Sequence, residues 1–262
     1  VARYLRLYAH FLRFSFSRAM QFRLDFFFRV GMDALWNAMH LTFFGVLFGH
    51  TGSVGGWGPD ETYLFLGGVF VADAIQMTVV SNNLWTFPIA VNRGDLDYHL
   101  VRPVSTLFFV SLRDFAANSF LNLLIALAIL VWAMARYPAP LPATTVGVYV
   151  FLLLVGAFLH YCVQLSFLLP VFWTHSGTGL RDVFWTADAY TSRPHGIFRG
   201  WTRRFLVSFL PLMLVVSYPT RVLVEGPSWE VVLHVVGVAV AAFLVLLALW
   251  RRGLRAYASA SS

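Results

Sequence analysis

The sequence predicts an all-α polytopic membrane protein, and three observations carry that prediction. Of 262 residues, 59% are hydrophobic and only 12% charged, with 26 Phe and a mean hydropathy of +0.71. A soluble domain of that composition would expose far more apolar surface than water tolerates. The apolar residues gather in runs near the ~20 residues a helix needs to cross a hydrocarbon layer of roughly 30 Å. Those runs are continuous, whereas membrane-barrel strands alternate apolar and polar over about 10 residues.

Residues 1–24 come first. Arg3, Arg6, His10, Arg13 and Ser17 recur at spacings of three and four, opposite Tyr4, Leu5, Tyr8, Phe11, Leu12 and Ala19. This predicts an amphipathic helix lying in the cytoplasmic interface. Five Arg interrupt the first 25 residues, so no apolar region of a cleavable signal peptide is expected there. Six spans follow, at 26–48, 62–80, 107–134, 144–169, 205–224 and 231–250, and the chain reads as a single transmembrane domain over 1–262. The loop "HTGSVGGWGPDE" is flexible by its Gly content, and "RYPAPLP" is stiffened by closely spaced prolines. The longest connection, 171–204, is read as an inner segment with a helix around 180–190. Pro211, Pro219, Gly226 and Pro227 predict that the outer end of the fifth span breaks where protein or water satisfies the freed backbone groups.

All 19 basic residues are Arg. Under the six-span reading only Arg136 and Arg221 fall on the outer side, so the positive-inside rule makes both termini cytoplasmic. The net charge of +7 is what such orientation produces, and nucleic acid is not an expected partner. Cys162 is the only cysteine, which excludes an intramolecular disulfide and a cysteine metal cluster. Without lysine there is no phosphate-cradling loop with its Lys and no Schiff-base chemistry. Any ATP must therefore be bound by another chain. The eight His show no i, i+4 pair of the zinc-hydrolase kind, and no G-x-S-x-G elbow occurs. No catalytic, metal or cofactor residue is expected.

Polar residues form stripes within the spans. Asp25, Arg29, Asp33 and Asn37 step by four along the first, and His40 continues the row; Asp73 and Gln76 share a face of the second; Asn118 and Asn122 share one of the third. Such groups either line a pathway or hold helices together by hydrogen bonds.

The stretch "NRGDLDYHLVRPVS" is unlike its apolar surroundings. Gly94 can end the preceding helix, Asp95 and Asp97 suit a helix N-terminus, Arg102 suits its C-terminus, and Pro103 stops it. Leu96 and Leu100 would form one small apolar face. A helix this short persists only when docked, and charges around an apolar centre suit a protein socket.

"NRGDLDYHLVRPVSTLFFVSLRDF" resembles the sequence after the second span of type-2, exporter-like ABC permeases, specifically the branch with paired permeases and a separate ATPase. "AYTSRPHGIFRGWTRRFLVSFLPLMLVVSYPTRVLVEG" and the ending "WRRGLRAYASASS" resemble the same branch, in the same order. The resemblance implies the type-2 permease fold in a bacterial-type inner membrane, with ATP and Mg held by partner ATPase subunits and a second permease, identical or paralogous. It implies that 92–104 carries the coupling helix, with Gly94, Asp95, Leu96, Asp97, Leu100, Arg102 and Pro103 at matching positions and Tyr98 and His99 between them. Pro219, Gly226 and Pro227 would belong to an external gate, although little chain remains there before the sixth span. A Phe-, Trp- and Leu-rich wall suggests an amphipathic or lipid-like cargo, and a lipid-facing surface has the same composition. The rival readings are an intramembrane enzyme acting on a lipid-like substrate, and a secondary transporter or channel.

Overall fold

The computed structural model describes residues 2–19, 21, 23–174, 178–198 and 200–257. His175, Arg199 and the small-residue tail 258–262 lie outside them. Among the described residues every regular element is helical, apart from one isolated bridge between Val54 and Trp57.

Helix α1 (Ala2–Ala19) precedes α2 (Arg23–Phe48). Helix α3 (Pro59–Arg93) runs 35 residues without a break and contains a π turn at Met77–Ser81. It therefore continues well past the end expected at Val80. After it come a one-turn helix α4 (Asp97–Leu100), α5 (Thr106–Leu112) and α6 (Ala117–Arg136), so the expected third span is two helices separated at residues 113–116. Helix α7 (Ala143–Thr174) is followed by α8 (Thr178–Asp188), α9 (Gly200–Arg204), α10 (Ser217–Glu225) and α11 (Trp229–Ala256). Helices α3, α6, α7 and α11 are long and apolar enough to cross a membrane. The 26-residue α2 has the length but carries Arg23, Asp25, Arg29, Asp33 and Asn37, which lower its hydropathy.

Helix α3 is central and touches α2, α6, α7 and α10. Its apolar residues from Leu64 to Ala74 are buried against Ala126 and Leu130 of α6, Tyr149 and Leu153 of α7, and Val215 and Val216. At its other end Phe87 and Val91 pack with Leu168, Phe172 and Trp250, which joins α3, α7 and α11.

The segment expected to be a continuous fifth span at 205–224 is broken. A π turn (Phe205–Phe209), a 3-10 turn (Leu212–Leu214) and α10 succeed one another around Pro211. Residues Leu210 to Val216 are nevertheless buried, several of them completely. Irregular backbone within a bilayer is tolerated where protein surrounds it, and here protein does. Glycines make the approach possible: a Cβ on Gly156 would overlap the Val215 carbonyl, and one on Gly68 would press on Val216.

The preceding segment takes an unexpected path. Trp185 of α8 stacks on Trp85 with ring centroids 5.5 Å apart, and Asp188 meets His160 of α7. Residues Ala189 to Ile197 then share a cavity of about 650 Å³ with Trp36, His40 and Phe44 of α2. The Gly196 backbone finally presses against Gly55 in the α2–α3 loop. Residues 178–188 thus pack on α3 and α7, and residues 189–197 continue beside α2 to the α2–α3 loop.

Candidate functional site

The charged stretch is built from the end of α3 outward. Gly94 adopts the left-handed conformation (φ 78°), where L side chains are strained. Its amide and that of Asp95 return to the Val91 and Ala90 carbonyls at 3.3 and 3.0 Å, a Schellman-type close. Leu96 follows with no exposed surface and joins the cluster of Val91, Leu168, Phe172 and Trp250. The apolar face expected from Leu96 and Leu100 therefore does not form. Leu96 precedes the single turn α4 and points inward, while Leu100 is 41% exposed. Tyr98 and Val101, at 70% and 83%, are the apolar groups that project most.

Each flank of this turn is held. His99 stacks on Phe109 of α5 with centroids 4.3 Å apart, and the guanidinium groups of Arg102 and Arg113 also lie over that ring. Burial, Arg113 and Arg102 together lower the His99 pKa below the usual imidazole range, outweighing the opposite pull of Asp95. Tyr257, just past α11, is raised by burial and by the carboxylates of Asp97 and Asp95. Pro103 lies in the turn before Ser105, whose hydroxyl caps α5 by accepting the Phe108 amide at 3.4 Å.

Helix α1 is stitched to the same region. The Ser105 amide donates to the Tyr4 hydroxyl at 3.2 Å, Tyr4 packs edge-on to Phe108, and Phe11 to Phe109. The break at 113–116 is also tied. Asn83 of α3 clamps Asp114, donating to its carbonyl at 2.7 Å and accepting its amide at 2.8 Å. The Phe115 amide donates to Ser15 of α1 at 3.2 Å, and the Ala116 amide to the Thr78 carbonyl, in the π turn, at 2.9 Å. Arg18 pairs with the Asp114 carboxylate. A π turn often sits where a helix serves function; here a carbonyl within it receives the neighbouring segment.

The intramembrane polar residues divide into two groups. Asn37 of α2 donates to Asn122 of α6 at 3.1 Å, and Gln76 of α3 to the Ala157 carbonyl of α7 at 2.8 Å, so both act between helices. Asp33 and Asn118 line a cavity of about 680 Å³ beside Arg29, which bonds Asp25 at 2.8 Å. Asp73 lies within electrostatic reach of a pair that sequence reasoning missed, His160 and Asp188, whose side chains meet at 2.8 Å with Thr191 on the same carboxylate oxygen. His160 and Asp188 are 28 positions apart on different helices, so no local spacing marks them. At the other end Pro219 is buried, Gly226 has φ 94°, and Pro227 is exposed. Among the described residues no cluster of His, Cys, Asp and Glu could hold a metal ion.

Long apolar helices surrounding a buried broken segment, with a punctuated turn at one end, define a multi-pass membrane protein. Residues 34–261 match the family model of the ABC-2 family transporter proteins, and the chain belongs to that family, the membrane component of ABC transporters. No curated protein and no solved structure matches it.

Proposed function

We propose that the chain is the permease subunit of an ATP-driven exporter, coupled to a separate ATPase through the turn at Asp97–Leu100. The observation that carries this reading is the contrast within that turn: Leu96 at its base is fully buried, while Tyr98, Leu100 and Val101 project. Exposed apolar groups on a rigid base, rimmed by Asp95, Asp97 and Arg102, suit a protein socket. ATP and Mg belong to the partner, because this chain has no lysine for a phosphate loop. A second permease, identical or paralogous, completes the pathway in a bacterial-type inner membrane, and the cargo is amphipathic or lipid-like.

In this reading the chain crosses six times: α2, α3, α5 with α6, α7, residues 178–198, and α11, with α1 lying in the cytoplasmic interface and both termini inside. The arginines from 193 to 204 then move to the outer side. Arg3, Arg6, Arg13, Arg18, Arg23, Arg93, Arg102, Arg181, Arg251, Arg252 and Arg255 remain inside, so the Arg bias keeps its direction. The folded-back segment from Phe205 to Glu225, with Pro219, Gly226 and Pro227, forms the external gate and begins earlier in the chain than the gate region at 219–227 expected from the sequence.

Co-purification of the ATPase tests the coupling. Leu100→Asp with Val101→Asp should cut ATPase retention about tenfold or more, as loss of a central apolar anchor does, with thermal unfolding unchanged. Leu96→Asp should instead lower stability, since it buries an unpaired carboxylate. Full ATPase retention by the double variant overturns the docking site.

A further inference from the structure

Beside the coupling turn lies a groove of about 590 Å³ between the inner end of α3, α4 and α5. Arg93 and Arg113 line it, both exposed, and among the described residues neither makes an ion pair. Of the two carboxylate residues in its lining, Asp114 is committed to Arg18, leaving Asp95 against two guanidinium groups. Arg113 also lies over the Phe109 ring, and the groove keeps one positive charge more than its carboxylates balance.

Its apolar side has a direction. Trp85, Ile89 and Arg93 recur every four residues along α3, so they form one stripe on its surface. Ile89, 50% exposed, lines the groove, while Trp85, 44% exposed, lies beyond it with its ring stacked on Trp185. Within the groove the stripe therefore places an aliphatic side chain beside a cation. That pairing suits an acyl chain against Ile89 and a headgroup phosphate at Arg93. A soluble anion would use the arginines alone, whereas a phospholipid uses Ile89 as well.

We propose that this groove binds the phosphate of an anionic phospholipid from the inner leaflet, held by Arg93 and Arg113 with an acyl chain along Ile89. Basic pockets between membrane helices on the cytoplasmic side are suited to such headgroups. Only the assignment to the inner leaflet rests on the orientation proposed above. His99 and Phe109 form the wall shared with the coupling turn, so a bound lipid buttresses that turn.

Native mass spectrometry of the delipidated isolated chain in detergent, titrated with phosphatidylglycerol and with phosphatidylcholine, tests this without any ATPase. Wild type should favour phosphatidylglycerol. Arg93→Gln and Arg113→Gln should each weaken its binding about fivefold and together about 30-fold, at ~1 kcal/mol per arginine. The double Lys variant at these positions should keep the preference, as should Arg251→Gln with Arg252→Gln on α11. An unchanged preference in the double Gln variant overturns the site. Displacement of the lipid by equimolar inorganic phosphate overturns the lipid assignment. Because the readout is lipid binding alone, failure here would leave ATPase docking standing, and loss of docking would leave the lipid site standing.

Discussion

Two stretches of irregular backbone, 113–116 and 210–216, meet the same difficulty in opposite ways. At 113–116 polar groups satisfy the chain: Asn83 takes both main-chain groups of Asp114, Ser15 takes the Phe115 amide, and the Thr78 carbonyl takes that of Ala116. At 210–216 the chain makes short local turns, such as Leu214 to Pro211 at 3.2 Å, and is sealed by side chains and by the bare faces of Gly68 and Gly156. The first break is held by bonds that can be exchanged for water or another donor. The second is held by shape, which has no substitute. The first can therefore rearrange by exchanging partners, whereas the second can move only if its neighbours repack.

The sharpest way to break this comparison is at Gly156. Gly156→Val would drive a branched side chain into the Val215 backbone, and overpacking of this kind costs about 3 kcal/mol. Thermal unfolding in detergent should show a large loss of stability, and a variant that unfolds like wild type would mean the 210–216 segment moves aside freely. A smaller effect is expected at the polar break. Asn83→Leu leaves both main-chain groups of Asp114 without partners at a cost of about 2 kcal/mol. Hydrogen exchange at residues 113–116 should accelerate while exchange at 210–216 stays unchanged.

The smallest expected effect concerns His99. Its folded pKa is lowered, so the folded turn binds fewer protons than the unfolded chain, and stability from this group is present at neutral pH and lost as pH falls below the ordinary imidazole value of about 6.5. Local exchange at 97–104 should rise on acidification in wild type and stay flat in His99→Gln. An equal rise in the variant would assign the pH response to another group.

Much of this was legible in the sequence. The helical class, the cap at Gly94 and the stop before Ser105 follow from local spacing and residue type, whereas spacing put Asn37, Asn122 and Gln76 on polar faces without deciding between a pathway and interhelical bonding. The inward turn of Leu96 was not legible, because its partners Leu168, Phe172 and Trp250 lie far along the chain. Neither was the clamp by Asn83, which acts across 31 positions. The route from 178 to 225 misled for a physical reason. Hydropathy follows burial, and the folded-back segment around Leu210 to Val216 is the more buried and apolar. The stretch from 178 to 197 instead carries Arg181, Asp182, Asp188 and Arg193, and its Asp188 is matched by His160.

The seating of Leu96 among three helices has a mechanical result. A single-helix lever would concentrate any load at its own tip and bend there. Here the base of the turn rests on α3, α7 and α11 together, so a load on it would be shared among three helices.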